Sequence, residues 1–360
     1  MSLRSRLARF SPLRLVGASD AVSRLERRTS ALQLAQKDHA RTLRKMTQQL
    51  DRLEALLRRQ QAVLDEIPNM QEKLGQAWAV YLKDAREAGR MPAARALLAD
   101  TTRIGAHAAA AVGRARLVAA PTPHVVIQDL LPDDVYDELI RAIPSVTFFK
   151  SRDPTRQETQ VPFVFAPEHT RLVWGTFYDT VVSDALIRAL TAKFGSALDD
   201  FVRTHWPAYE SLAAAGIELQ VSNSRILLRG PGYEIKPHRD PRWAFLTCLL
   251  YLPRPRDTSA YGTQLYRLRE EPVVSHGSPL WVDEGLCELA VDVPARRNTA
   301  LVFLNATGAH GATIPPDAPA GTKRYLYQVQ FGVDERTQRR LVETLDVGQR
   351  PGWVTRAKGY

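Results

Sequence analysis

The sequence predicts an α+β protein in two parts: an N-terminal helical region bearing heptads, then a β-rich domain of sandwich or jelly-roll type with helices flanking it. Three observations lead there. Residues 21 to 67 contain no glycine or proline and repeat apolar residues on a seven-residue period. The segment Ala119-Ala-Pro-Thr-Pro123 then breaks helix. Beyond it, short apolar runs alternate with Gly, Pro and Asn, the pattern of many short strands joined by turns.

The chain opens with a basic stretch, residues 1–19, carrying Arg4, Arg6, Arg9 and Arg14 and no acid. It reads as a flexible N-terminus; a transit peptide or a weak membrane-surface contact is the alternative, against which Pro12 breaks a short apolar stretch. No apolar segment with a cleavage site follows, so secretion is not expected. Residues 20–120 form the helical region. From Ala21 to Ile67 the composition is Leu, Arg, Gln, Ala and Glu, all strong helix formers. Val22, Leu25, Leu32, Leu43, Met46, Leu50, Leu53, Leu57, Leu64 and Ile67 occupy seam positions of a coiled coil, interrupted by Thr29, Gln36, His39 and Gln60. One helix cannot bury such a seam by itself. The expected cover is a second copy of the chain, hence a homo-oligomer; an internal hairpin with the helices between Gln71 and Val118 is the alternative. His39 is read as a register device. Pro68 is expected to end the long helix, with Gln71 to Ala88 and Pro92 to Val118 as two shorter ones. The second, alanine-rich, is expected to pack weakly or act as a connector.

Residues 121–216 read as a support for the β domain, with a strand at His124 to Gln128 and a helix from Pro132 whose first turn is acidic. Two more helices are expected at Asp179 to Phe194 and Ala197 to His205. Residues 217–335 form the core, with strands at Glu218 to Leu228, Trp243 to Leu252, Gln264 to Tyr266, Glu288 to Val291, Ala300 to Leu304 and Arg324 to Phe331. Residues 336–360 are a C-terminal extension.

With 360 residues, 44% hydrophobic and 24% charged, the chain has the composition of a globular protein with a full core. No run approaches the roughly 18 apolar residues of a membrane-spanning helix. Cys248 and Cys287 form no Cys-x-x-Cys pair and are too few for a disulfide framework, so a cytoplasmic location is expected. The net charge of +10 is uneven: Lys and Arg outnumber Asp and Glu by 22 to 11 before Pro121, against 27 to 28 after it. This argues against a basic nucleic-acid groove in the β domain.

The chemistry concentrates around Lys236-Pro-His238-Arg-Asp240. Residues two apart on an extended chain share a face, so His238 and Asp240 can offer an imidazole nitrogen and a carboxylate oxygen to one ion. His310 follows the apolar run Thr299 to Leu304. Two histidines and a carboxylate are the facial triad of non-haem iron oxygenases, which leaves positions open for cosubstrate and dioxygen. The strand Arg324 to Phe331 begins with an arginine, and a diacid chelating iron at one end needs a fixed cation at the other.

In these motifs the stretch from Ile217 to Phe331 resembles the catalytic double-stranded β-helix of the 2-oxoglutarate and iron(II)-dependent oxygenase superfamily, in particular its prolyl 4-hydroxylase-like branch. Pro231-Gly-Tyr-Glu-Ile-Lys-Pro-His-Arg-Asp240 is similar to that branch's first metal motif, and Tyr261-Gly-Thr-Gln-Leu-Tyr266 to its Gly-Gly-x-Leu turn, with Thr263 in place of the second glycine. Leu246-Thr-Cys-Leu-Leu-Tyr-Leu-Pro253 is similar to the next strand, which makes Tyr251 an aid to binding the distal carboxylate. The resemblance implies iron(II) held by His238, Asp240 and His310, 2-oxoglutarate as cosubstrate with its distal carboxylate on Arg324, dioxygen as oxidant, and succinate and carbon dioxide as products. Because Asp240 is present, it implies hydroxylation rather than halogenation. Departures are Arg229 where some members carry a tyrosine near the keto-acid end, and Gln330 where several carry an aromatic residue.

Two rivals remain on the residues alone: a coiled-coil scaffold with a degenerate, metal-free β module, and a cupin-like metal enzyme that takes no 2-oxoglutarate. His169, His205 and His276 have no partners at metal spacing and read as surface or core histidines. Cys248 reads as a small buried hydrophobe. Arg239 and Arg242 flank the metal motif and face either substrate or solvent.

Overall fold

Strong helix formers carry a single helix, α1 (Pro12–Glu87), through 76 residues. The computed structural model of the chain describes residues 12–153, 155–160, 166–271, 279–319, 321–345, 350 and 353. Arg4, Arg6 and Arg9 lie outside that set. Pro12 stands at the helix start, where a missing N–H costs nothing. Pro68 does not end the helix: long runs of helix formers on both sides outweigh one interior proline, whose penalty is about 3 kcal/mol. Because α1 continues through Gln71 to Glu87, the separate helix expected at Gln71 to Ala88 is not formed, and the described seam leucines are exposed, Leu25 at 64% and Leu57 at 64%. The N-terminal region is a plain helix.

The contacts divide the chain into two units, Met1–Leu74 and Gly75–Tyr360, so the break expected at Ala119 to Pro123 falls inside the second unit. There the helical stretch splits at Asp100, whose carboxylate caps the next helix by accepting from the Arg103 amide. The pieces are α2 (Met91–Ala99) and α3 (Thr101–Arg114). Contrary to the expected weak packing, Leu98, Ile104, Ala108, Ala111 and Val112 enter the main core. Small residues permit this: Gly105 of α3 lies against Ala185 and Thr180 of a π-helical stretch, Phe177–Leu186. That stretch joins α5 (Glu168–Thr176) to α6 (Ile187–Lys193), and α4 (Asp133–Arg141) and α7 (Gly195–His205) complete the layer.

The strands are β1 (His124–Ile127), β2 (Lys150–Asp153), β3 (Arg156–Gln160), β4 (Gln220–Arg229), β5 (Glu234–Arg239), β6 (Ala244–Tyr251), β7 (Thr263–Leu268), β8 (Leu280–Trp281), β9 (Cys287–Val293), β10 (Ala300–Leu304), β11 (Ala309–Thr313) and β12 (Arg324–Gly332). They form a seven-stranded sheet, β1-β10-β6-β12-β4-β3-β2, and a five-stranded sheet, β8-β5-β11-β7-β9, with antiparallel pairings. From β4 onward the chain crosses back and forth between the sheets, which is the winding of a jelly roll. Side-chain parity sorts the two faces. Leu227, Leu249, Tyr251, Leu301, Phe303 and Leu326 turn toward the smaller sheet, while Ile226, Leu228, Leu250, Val302, Tyr325, Tyr327 and Val329 pack on the helices.

Described residues after β12 pack on this body. Helix α8 (Glu335–Glu343) buries Leu341, and Gln338 donates to the carbonyl of Trp353, whose ring packs among Phe201, Trp206 and Phe245.

Candidate metal centre and anion pocket

His238 near the end of β5 and His310 in β11 are paired in register, so the two imidazoles stand side by side with ring centroids 4.1 Å apart. Asp240 follows two residues after His238, just past the strand end. Its Oδ1 lies 4.0 Å from His238 Nε2 and its Oδ2 3.9 Å from His310 Nε2. One ligand atom from each of the three falls within 4.8 Å of the others, and all three side chains are buried. The spacing is too long for hydrogen bonds among them and leaves room for one ion between. The Nδ1 of His238 is 2.8 Å from the carbonyl of Lys236; that oxygen only accepts, so Nδ1 carries the proton and Nε2 keeps its lone pair for a ligand.

Backbone shape holds His310 in place. Gly308 adopts φ +67°, and a Cβ on Gly311 would fall 2.9 Å from the carbonyl of Ile235, so β11 approaches β5 as closely as it does only through glycine. Phe303 packs on the His310 ring at 4.5 Å, and Trp281, the cross-strand partner of His238, lies 5.6 Å from the His238 ring.

Burial depresses the basicity of both histidines. His310 is lowered to about 3 by burial, with the neighbouring His238 adding to the effect against Asp240; His238 is lowered by burial against the opposing charge of Asp240. Burial alone raises the Asp240 carboxyl, but attraction to His310 and His238 whenever either is protonated, with hydrogen bonds from Thr247 and Gln330, outweighs it and lowers the group. Neutral imidazoles beside a carboxylate are the protonation state a divalent cation requires.

A second feature lies in the same interior. Arg324 opens β12, is buried, and donates from Nη2 to Thr263 Oγ1 at 3.0 Å, while its Nε has no partner. Among the described residues no carboxylate pairs with it. Burial lowers its pKa, against the favourable influence of Tyr251. Tyr251 is fully buried, with its ring 5.8 Å from the Arg324 guanidinium and its hydroxyl without a hydrogen-bond partner. Buried polar groups without partners are costly unless a ligand completes them.

The five residues singled out by the sequence therefore lie in one interior. Others were missed. Thr247 Oγ1 donates to Asp240 Oδ2, and Asn305 Nδ2 donates to Thr247 Oγ1 at 3.0 Å; the hint was a threonine at inward parity within an otherwise apolar strand. Arg239 fits neither expectation. It is buried, donates from Nε to the Gly308 carbonyl at 2.7 Å and pairs with both oxygens of Glu271, tying β5 to the turn before His310. His169 is a core histidine paired with Glu138, and His205 is wedged between Phe201 and Trp353, as expected of residues outside the site. His276 lies outside the described residues. Cys248 is buried in apolar surroundings that push its thiol up to about 12.

No family model matches the sequence, and no curated protein matches it. Solved structures do. HygX from Streptomyces hygroscopicus, crystallised with nickel and 2-oxoglutarate, aligns at 12% identity and a TM-score of 0.38 over 59% of this chain and 83% of its own. A prolyl-4-hydroxylase from Pseudomonas putida aligns at 16% identity and 0.34 over 63% and 99%. A prolyl 4-hydroxylase from Phytophthora capsici aligns at 15% identity and 0.37 over 66% and 67%.

Proposed function

We propose that this chain is an iron(II)- and 2-oxoglutarate-dependent dioxygenase that hydroxylates a small-molecule, glycan-precursor or protein substrate and releases succinate and carbon dioxide. The observation that carries this reading is the convergence of His238, Asp240 and His310 within 4.8 Å, inside the same pair of sheets as a buried Arg324 that has no carboxylate partner among the described residues. The donor set suits iron(II): two neutral nitrogens and one carboxylate from one side satisfy three positions and leave the rest open. When bound there, the metal supplies the redox chemistry that couples dioxygen to decarboxylation of the 2-oxo acid.

The chain's own residues then have definite tasks. His238, Asp240 and His310 would hold the ion. Thr247 keeps Asp240 oriented, and His238 Nδ1 keeps its proton and donates a hydrogen bond to the Lys236 carbonyl. Arg324 and Tyr251 would receive the distal carboxylate of 2-oxoglutarate, Arg324 as a charge-assisted donor and Tyr251 through its free hydroxyl. The apolar residues between the sheets, Leu249, Leu265, Leu301 and Phe303, exclude bulk water.

The rival readings predict other chemistry. A metal-free scaffold gains nothing from the buried triad, and a cupin-like enzyme without 2-oxoglutarate leaves Arg324 and Tyr251 unexplained. The deciding experiment supplies the purified protein with iron(II), 2-oxoglutarate and oxygen and measures succinate. Iron- and oxygen-dependent succinate, stimulated by metabolite fractions that hold the substrate, is the expected result. No succinate under any supplementation would overturn the reading, and iron binding without it favours the cupin-like alternative.

We also propose that the exposed α1 seam is covered by a second copy of this chain. The support is its period: apolar residues spaced by 3.5 complement the same stripe on an identical helix.

A further inference from the structure

Arg324 has a cationic neighbour that the sequence-based reading did not use. It pairs in register with Arg229 on β4, and Arg229 pairs with Arg156 on β3, so three guanidinium stems leave one face of the larger sheet in a row. Arg229 shares parity with Leu227, which places it on the side turned toward the smaller sheet. Directly opposed residues in an antiparallel sheet are close neighbours, and like charges there repel. Both inner arginines are buried, Arg324 at 6% exposure and Arg229 at 8%, so water screens them poorly.

Among the described residues no carboxylate offsets that repulsion for this pair, and none pairs with Arg229. Its Nη1 donates to the carbonyls of Gln157 and Leu228, at 2.8 and 3.2 Å, while Nε is buried without a partner, as is the Nε of Arg324. The ring of Tyr233 packs against the Arg229 guanidinium at 4.9 Å and fixes its plane. Two buried, adjacent and oriented cations with free donors are complete only with an anion between them, and a carboxylate has two oxygens with lone pairs enough for both.

We infer that Arg229 is a second binding residue for the distal carboxylate of the diacid, sharing it with Arg324. The identity of that diacid as 2-oxoglutarate rests on the function proposed above. Register thus assigns Arg229 to the distal end of the cosubstrate rather than to the keto-acid end, where the family resemblance puts a tyrosine. The consequence is selectivity: 2-oxo acids that lack a distal carboxylate leave two cations unsatisfied rather than one.

The test is calorimetric titration of nickel(II)-loaded protein, which binds without turning over, with 2-oxoglutarate and with the monoacid 2-oxobutyrate. R229Q and R324Q should each weaken 2-oxoglutarate binding by about tenfold or more and leave 2-oxobutyrate unchanged. In the double variant the loss should be smaller than the product of the two single losses, because both act on one group. R229K, which keeps the charge, should recover part of the affinity and provides a readout if R229Q folds poorly. Wild-type 2-oxoglutarate affinity in R229Q, or equal weakening toward both acids, would overturn the inference. Absence of 2-oxoglutarate binding to the wild type would instead remove the parent reading. Glutarate, a diacid without a chelating keto group, then still reads the pair: loss of its binding in R229Q upholds the shared pocket, and unchanged binding overturns it.

Discussion

The hydroxyl of Thr247 donates a 2.5 Å hydrogen bond to Oδ2 of Asp240, and is itself held by Asn305 from the other side. This relay runs from β6 to the loop after β10 and fixes the rotamer of the carboxylate before any ion arrives. Thr247→Val keeps the shape and removes the donor, leaving Asp240 to Gln330 and the two imidazoles. Metal affinity should fall by roughly 10- to 100-fold, as for other supporting partners of metal ligands. Thr247→Ser should retain most of it. Chelator competition measures both, and an unchanged affinity in Thr247→Val would remove the relay from the account.

Asp240→Ala should abolish iron-dependent turnover while the chain stays folded. Two imidazoles alone offer too few ligands, and the variant also takes the acceptor away from the buried Thr247 hydroxyl. Because the apo carboxylate is held ionised by its hydrogen bonds, the apo melting temperature should fall modestly, with the native fold kept. What disappears is stabilisation by metal, about 2.7 kcal/mol for a ligand at a hundred times its dissociation constant. Thermal melts with and without nickel(II) separate the two effects, and metal-induced stabilisation persisting in the variant would refute the assignment.

Arg324→Ala should act on the cosubstrate rather than on the metal. Truncating one partner of a buried charge pair costs about 2–5 kcal/mol, so the apparent KM for 2-oxoglutarate should rise roughly 30-fold or more. Affinity for nickel(II) in the absence of cosubstrate should not change. Steady-state kinetics with varied 2-oxoglutarate provide the measurement; an unaltered KM would show that the guanidinium serves packing alone.

The cysteines should differ in reactivity. Burial pushes Cys248 up to about 12, so at pH 8 only about one molecule in ten thousand carries the thiolate. Cys287, half-buried at the start of β9, is also raised by burial but has access to solvent. Iodoacetamide should therefore label Cys287 in the native protein and Cys248 only after unfolding, as read by peptide mass analysis. Equal labelling in the folded state would contradict the buried position of Cys248.

The residues assigned to direct binding are legible because their chemistry is local in sequence. His238 and Asp240 are two apart on a strand, and Arg324 starts an apolar run, so parity and spacing were enough to single them out. The positions of Thr247, Asn305 and Arg229 beside the site are not legible, because they depend on register between strands far apart in the chain, as in the pairing of Arg229 with Arg324, and a sequence without pairings does not show register. The helical region differs from the expectation for a different reason. Alanine and glycine at Gly105, Ala108 and Ala111 look weakly packing when only side-chain size is weighed, yet their smallness lets α3 approach the π-helical stretch and enter the core. Pro68 does not end α1 because its penalty is outweighed by the helix formers of the whole element rather than by its neighbours alone.

The seam of α1 leads to the last prediction. Leu43, Leu50, Leu57 and Leu64 are more than half exposed, at 61, 60, 64 and 57%, on a stripe of constant heptad phase. Each such leucine contributes about 1.5–3 kcal/mol when fully buried, so several in phase exceed the entropic cost of joining two chains, estimated at about 4–15 kcal/mol. The full-length protein should therefore sediment as a dimer or larger at micromolar concentration. Leu50→Asp with Leu57→Asp puts two charges into the seam of every chain and should shift it to monomer. Metal affinity should be unaffected, because His238, Asp240 and His310 all lie in the unit from Gly75 onward. A wild-type chain that remains monomeric at high concentration would remove self-association from the account, and loss of metal binding in the seam variant would show that the two units depend on each other.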